Sequence, residues 1–403
     1  MQNSVKILNY FYKNFSISLN FFIDIEKKND VEYKLMIKIG EKHLSKISIC
    51  IPVCKTEKYL NSCLESIATQ DFKNIEIIIV DDNDKSYFES LKSESSLKII
   101  KNFKKNHKKD NFNIKFIKHG KNKGLVEARR SAIYEASGKY IMFLDSDDSL
   151  PENSIKFLFD EAENSNADIV QGKANICLKT ENLENASEDE KNRLKIMEKS
   201  DKVFSGTLLE RQIFDGFLLN SNHSGFLWGK IFKRELCLEC FNIIPPVFCT
   251  FGEDFLTYFY LSLFAKKYRG IEKSVYNYYI NTGISSNKKI DSLEEWEKIC
   301  STASVFTILL SWIQEEGRCG ETSLLEGVAD KSNSAWERGE GFPLLTNEEI
   351  QKVRDFAKFY ATNNLLQLKK SVVPELQNQA HEKLCDFWGE KMIKTIEENL
   401  EKR

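Results

Sequence analysis

A strand-length apolar run, Tyr140-Ile-Met-Phe-Leu144, passes directly into Asp145-Ser-Asp147-Asp148 and is closed by Pro151. An apolar run of this length reads as a strand buried on both faces. The acids that follow it then sit at its carboxyl end, where open α/β sheets bind their ligands. Carboxylates held close together repel one another unless a cation offsets them. A hard divalent ion, Mg2+ or Mn2+, carrying a phosphate-bearing substrate resolves that repulsion.

Two upstream runs have the same character. Ile47-Ser-Ile-Cys-Ile-Pro52 is an apolar strand ended by proline, and Ile75 to Val80 is a second buried strand that ends in Asp81-Asp82. Between them Tyr59, Leu60, Cys63, Leu64 and Ile67 recur at helical spacing, so this part predicts a βαβ unit in a parallel sheet. A long polar insertion follows from Asp84 to Asn111, helical in its first half, and Ile114 to Lys118 reads as a third strand. Asn122-Lys-Gly124 opens a helix with an apolar face of Leu125, Ala128, Ala132, Ile133 and Ala136. Arg129 and Arg130 fall to either side of that face, and Gly138 closes the helix.

Further along, the pattern predicts a helix after Pro151, a strand over Asp168 to Gln171, and a loop or exposed helix over Thr180 to Lys202. An amphipathic helix is expected past Phe204, another opened by Gly252-Glu253-Asp254, and an edge strand over Val275 to Ile280. From Leu293 onward strand signals vanish. Trp296, Phe306, Leu310, Trp312, Ile350, Phe356, Leu365 and Leu366 suit a helical subdomain. The expected division is a lead segment over 1–44, an α/β domain over 45–288 and a helical subdomain over 289–403, whose helices are also where an oligomer contact is expected.

Composition narrows the function classes. With 41% hydrophobic and 29% charged residues, the 403-residue chain can bury a substantial core, and its net charge of −2 argues against a nucleic-acid partner held by global charge. One stretch departs from that balance: Lys98, Lys101, Lys104, Lys105, Lys108, Lys109, Lys115 and Lys118 crowd together with Asp110 the only acid among them. It reads as a solvated helix face and loop, with an anionic acceptor or membrane surface as the alternative. Ten cysteines without the charged-then-apolar order of a leader point to a reducing, cytoplasmic setting. Cys50 and Cys63 read as core, and Cys237-Leu-Glu-Cys240 lacks the second pair a zinc site needs. No window approaches the ~20 apolar residues that span a bilayer. The shorter run Phe15 to Ile25 is expected to pack on the main domain, peripheral contact with the inner face of a membrane being the alternative.

If the sheet is parallel, the loop after Pro52, the pair Asp81-Asp82, the Arg129 helix and Asp145-Ser-Asp147 converge at one edge. Such a set can hold a nucleoside diphosphate: carboxylates accept from a base or ribose, a guanidinium meets phosphate, and a metal lies between acids and diphosphate. The segments Ile49-Cys-Ile-Pro-Val53, Ile78-Ile-Val-Asp-Asp82, Asn122-Lys-Gly-Leu-Val-Glu-Ala-Arg129, Phe143-Leu-Asp-Ser-Asp-Asp148 and Gly252-Glu-Asp254 occur in this order over roughly residues 46–285. In that order they resemble the family 2 glycosyltransferases of the GT-A fold, and among them the bacterial surface-polysaccharide enzymes.

The resemblance implies a GT-A, Rossmann-like α/β fold: a mostly parallel sheet flanked by helices. It implies that Pro52, Val53 and Asp82 line the nucleoside pocket, that Arg129 approaches the nucleotide, and that Asp145 meets the ribose or sugar. Asp147, with Asp145 beside it, would hold Mn2+ or Mg2+. Asp254, with Glu253 next to it, resembles the base of inverting members; the bland alternative for this pair is a helix start with acids in its first turn. The implied partners are a nucleotide-sugar donor, in particular a UDP-sugar, and a glycan or lipid-linked acceptor. Two departures from the family stand out. Asn83-Asp84 replaces the usual small-residue turn. Tyr279 stands where many relatives carry an arginine, leaving Asn281 or the backbone near Gly283 to meet the diphosphate. Trp228, in a stretch that resembles the family's acceptor side, is either core or a sugar platform. Two other classes remain open at this point: a metal-dependent nucleotidyltransferase and a non-catalytic nucleotide-sugar-binding scaffold.

Overall fold

The computed structural model describes residues 46–90, 95–110, 112–178, 187–280, 289–316 and 344–401. The lead segment, the run Phe15 to Ile25, Asn281 and Gly283 lie outside the described residues.

In chain order the elements are β1 (Ile47–Val53), α1 (Glu57–Ala68), β2 (Ile75–Asp81), α2 (Lys85–Ser90), α3 (Ser96–Asn106), β3 (Asn113–Lys118), α4 (Leu125–Glu135) and β4 (Tyr140–Phe143). There follow α5 (Ser154–Ser165), β5 (Ile169–Leu178), α6 (Glu188–Ser200), β6 (Gly206–Leu209), α7 (Arg211–Leu218), β7 (Lys230–Lys233), α8 (Arg234–Ile243), α9 (Glu253–Phe264) and β8 (Lys267–Ile280). The remaining elements are helical: α10 (Leu293–Cys300), α11 (Thr302–Glu316), α12 (Asn347–Ser371), α13 (Gln377–Trp388) and α14 (Glu390–Glu401).

One sheet in the order β3-β2-β1-β4-β7-β5-β8-β6 organises the fold. β3, β2, β1 and β4 run parallel, as do β5 and β8, while β7 lies antiparallel between β4 and β5 and β6 closes the far edge antiparallel to β8. This is the mostly parallel, helix-flanked α/β sheet expected of the GT-A class. Every residue of β1, β2 and β4 is buried, as strands covered on both faces must be. Alternate side chains feed two cores. Ile49, Ile51, Ile77, Ile79 and Met142 pack with α1, α3 and α5. Cys50, Ile78, Val80, Ile141 and Phe143 pack with α4, α8 and α9.

That second core does not stop at the sheet. Trp296 of α10, Phe306 of α11, Val353 and Leu365 of α12 and Leu384 of α13 belong to the same apolar cluster as Val126 of α4 and Phe255 of α9. Within the helical part the Trp296 indole donates to the Ala380 carbonyl at 2.7 Å. The C-terminal helices are thus bonded into the layer that carries α9.

Several expectations change on inspection. The strand expected at Val275 begins at Lys267 and is held by β5 along most of its length; its first residues are interior, with β6 on the other side, while Val275 to Ile280 pairs with β5 alone apart from the Ser149–Asn277 bridge. Its polar start, Lys267-Tyr-Arg-Gly, hides it from apolar patterning. Past Phe204 comes the short strand β6 before the helix, and the segment after Trp228 forms β7, which pairs on both sides. The acidic stretch before Lys202 holds α6, a helix that buries no residue and starts with a Ser187–Glu190 capping box. Within the lysine run, Lys98, Lys101, Lys104 and Lys105 lie exposed on α3 while Ile100 and Phe103 face the core, so that part is a solvated face. Gly138 lies beyond the end of α4; its role is close approach, since a Cβ there would meet the Ser48 backbone nitrogen at 2.7 Å.

A buried acid ties this end of the sheet together. Glu76 of β2 accepts from Ser48 Oγ at 2.5 Å, from the Ser137 and Gly138 backbone nitrogens at 2.5 and 3.0 Å, and stands 3.4 Å from Lys115 Nζ. Burial alone would raise its pKa, but the Ser48 and Ser137 hydrogen bonds and the lysine outweigh it and hold the carboxyl below its ordinary value. Stability from a depressed carboxyl is present at neutral pH and lost as pH falls through the folded pKa. Glu76→Gln is therefore expected to cost about 1–3 kcal/mol at pH 7 in denaturant titrations, with the difference from wild type closing below about pH 4. A pH-independent difference would show that the charge is not what binds these strands.

Candidate active site

The carboxyl ends of β2, β1 and β4 line up: Val53 pairs with Asp81, and the Leu144 nitrogen donates to the Cys50 carbonyl at 3.1 Å. Chain order reverses between β1 and β4, and such a switch point opens a crevice outside the strand ends. Asp82 and Asp145 emerge from those ends, and α9 brings Glu253 and Asp254 to the same place.

Arg129 joins these parts. It projects from α4 and is 1% exposed. Its Nη1 donates to Asp254 Oδ1 at 2.7 Å and lies 3.5 Å from Glu253 Oε1, while Nη2 lies 3.5 Å from Asp145 Oδ1. The guanidinium also sits 5.7 Å from the centre of the Phe143 ring. Arg129 is thus buried beneath the acids instead of standing beside an apolar helix face. The reason is packing on a second side: α4 contacts α8 and α9 as well as the sheet. Neighbouring Arg130 turns the other way and bonds the Phe241 and Ile244 carbonyls at the end of α8.

One cation among so many acids leaves a surplus of negative charge. Burial, then Asp254, pushes Glu253 up to about 8, so it carries a proton at neutral pH. Burial pushes Asp145 up to about 6, with Asp147 and Asp254 adding to the rise and Arg129 opposing it. Asp148 is raised further by burial and by Asp147 and Asp145, and its oxygens are committed to Tyr276 Oη at 2.9 Å and the Tyr279 nitrogen at 2.8 Å. It anchors the acidic loop to β8.

Asp82 is used differently. Its oxygens accept from the Lys123 and Gly124 nitrogens, each at 2.9 Å, and from His119 Nδ1 at 2.6 Å, while His119 Nε2 meets Ser131 Oγ at 2.8 Å. It therefore shapes the Asn122–Gly124 loop from beneath. Pro52 and Val53 are buried at the end of β1. The turn after Asp82 is held by Asn83, whose amide donates to Glu57 at 2.6 Å and Asp81 at 2.7 Å and accepts from the Lys55 nitrogen at 2.8 Å. Asn83 was expected as a turn residue, but its bonds to Glu57 and Asp81 were not read from the pattern, nor were the roles of Glu57 and His119. Trp228 is 4% exposed and stacks on Phe226, Tyr276 and Tyr278, so it is core.

A family model described as Glycosyl transferase family 2 matches residues 48–217, the segment that carries Asp82, Arg129, Asp145 and Asp147. Over that segment the chain is similar to this family. Glycosyltransferase GlyA of Streptococcus pneumoniae is 29% identical over 241 residues, 59% of this chain and 31% of that protein. Glycosyltransferase GlyG of the same organism is 35% identical over 127 residues, 31% of this chain and 38% of GlyG. The chain thus spans about a third of the length of the curated relatives it matches. Among solved structures, S. aureus TarS 1-349 in complex with UDP-GlcNAc aligns over 89% of this chain and 92% of that one, at 19% identity and a TM-score of 0.47.

The first turn of α1, where a nucleotidyltransferase would wrap phosphate, holds the buried acid Glu57, which disfavours an anion there. Among the described residues no group of three or more His, Cys, Asp or Glu is arranged to hold a metal by itself. A donor-borne Mg2+ or Mn2+ needs fewer, since it takes one or two carboxylates and completes its shell with phosphate and water.

Because Arg129 is the buried counter-charge to Asp145, Glu253 and Asp254, its removal leaves those acids uncompensated. Arg129→Met should cost about 3 kcal/mol or more in stability, measured by chemical denaturation. A variant as stable as wild type would mean that the acids do not depend on this cation.

Proposed function

We propose that the chain is an inverting glycosyltransferase that moves a sugar from a nucleotide-sugar donor, in the first instance a UDP-sugar, to a hydroxyl of a glycan or lipid-linked acceptor. The observation that carries this reading is the Arg129 bridge, which sets the donor-side Asp145 and the acceptor-side Asp254 on one buried cation. No described helix is long and apolar enough to cross a membrane, so a lipid-linked acceptor would be met by its head group at the crevice.

In this reading the Asn122–Gly124 loop faces the nucleoside together with Pro52 and Val53, and Asp82 acts on the nucleoside pocket by holding that loop. Asp147, with Asp145, would hold the divalent ion, which supplies neutralisation of the leaving diphosphate when bound. Asp254 accepts the proton of the acceptor hydroxyl as that oxygen attacks the anomeric carbon from the face opposite the diphosphate, and in-line attack inverts the configuration. Arg129 fixes the aim of Asp254, and its position at the start of α9 suits an acid. Protonated Glu253 keeps the neighbourhood of the base from becoming more negative.

Two measurements test the assignment. Asp254→Asn should lower transfer by ~10² to 10⁴-fold while UDP binding survives, whereas Glu253→Gln, which copies a protonated acid, should stay within a few-fold of wild type at pH 7. Equal losses in both variants, or a folded Asp254→Asn with near-normal transfer, would remove Asp254 from its role. Asp147→Ala should remain folded yet lose both transfer and the Mn2+-dependent part of UDP binding seen by calorimetry. Full transfer by that variant in the presence of chelator would overturn the metal assignment.

A further inference from the structure

We infer that Tyr278 is a sugar platform: its ring forms the wall against which a pyranose lies between the donor-side acids and Asp254. The inference rests on the glycosyltransferase reading above. It starts from strand register. Tyr276 and Tyr278 are two residues apart on β8 and so share one face of the sheet. The direction of that face is known, because Tyr276 Oη lies 3.1 Å from the Asp145 nitrogen and 2.9 Å from Asp148 Oδ2. Tyr278 is therefore the next side chain along the same face, beside the acidic loop. The strand is pinned there by the Asn277–Ser149 bridge and by the Tyr279 nitrogen on Asp148.

Exposure separates the two tyrosines. Tyr276 is fully buried, whereas Tyr278 is half-buried and keeps part of its side chain exposed. The ring is also rigidly backed. Trp228 stacks against it at 5.3 Å with an interplanar angle of 28°, and Phe226 stacks behind Trp228 at 4.5 Å and 11°. A preformed aromatic stack with its last ring open to solvent is suited to the apolar face of a sugar, since no rearrangement is needed to bind it. Trp228 cannot serve in this way because it is closed off as the middle of the stack.

The pyranose can be that of the donor or of the acceptor, and kinetics on the full chain separates the two. Wild type is first screened for UDP release with UDP-hexoses and UDP-N-acetylhexosamines against simple glycosides; if no pair supports transfer, the glycosyltransferase reading fails and not this one alone. With a working pair, Tyr278→Phe should keep both KM values within about twofold. Tyr278→Leu should raise one of them by roughly tenfold or more, the scale of a lost apolar contact in a substrate pocket, with the affinity for UDP alone and the melting temperature unchanged. A rise confined to the donor KM assigns the ring to the donor sugar, and one confined to the acceptor KM assigns it to the acceptor. Unchanged KM values in Tyr278→Leu, or a loss of UDP affinity and melting temperature in step with activity, would overturn the platform and leave Tyr278 a packing residue.

Discussion

Burial of one guanidinium among three carboxylates is the constraint on which the rest of the site depends. Arg129 has no route to water, so its charge must be met locally, and the acids that meet it come from β4 and from the start of α9. Breaking such a cluster is costly because it strands charge in a poorly solvated place. The three acids still outnumber the one cation. Burial first, and the neighbouring carboxylates after it, push both Glu253 and Asp145 above the ordinary carboxylate range.

Around that centre, acids at strand ends do structural work as well. Asp82 spends its carboxylate on the Lys123 and Gly124 nitrogens and on His119, and Asp148 spends its own on Tyr276 and Tyr279. Loops with no regular hydrogen bonding need such acceptors, since a buried backbone N–H left unpaired is expensive. A run of acids after a buried strand therefore includes some whose work is to hold the loops, and in the proposed reaction Asp147 and Asp254 have other roles.

The helices beyond Leu293 are part of the same construction. Their apolar residues join the core that seats α9, and a Cβ on Gly252 would meet Thr302 at 3.2 Å, so the start of α9 is packed directly against α11. The family match ends at residue 217, ahead of α9. The half of the site that carries the proposed base is thus set by a region whose sequence offers helical periodicity and little else.

Much of this was legible in the linear pattern. Apolar runs ending in Pro52, Asp82 and Asp145 mark parallel strands because burial on both faces leaves no room for alternation, and their ends fall on one edge because right-handed βαβ units put them there. That logic also brought Asp82 and Asp145 to one edge of the sheet, whereas Asp254 was placed there by the resemblance to the family. The strands β6 and β7 and the start of β8 were not legible, being short or polar where pairing partners rather than hydrophobicity hold them. Nor could periodicity show that Arg129 is buried, that Asp82 faces inward to a loop, or that Trp228 is sealed while Tyr278 is open. Sequence by itself determined which residues sit at strand ends, since that follows from local polarity and period. Which of those side chains face protein and which face the crevice was decided only by tertiary packing, because it depends on neighbours contributed from far along the chain.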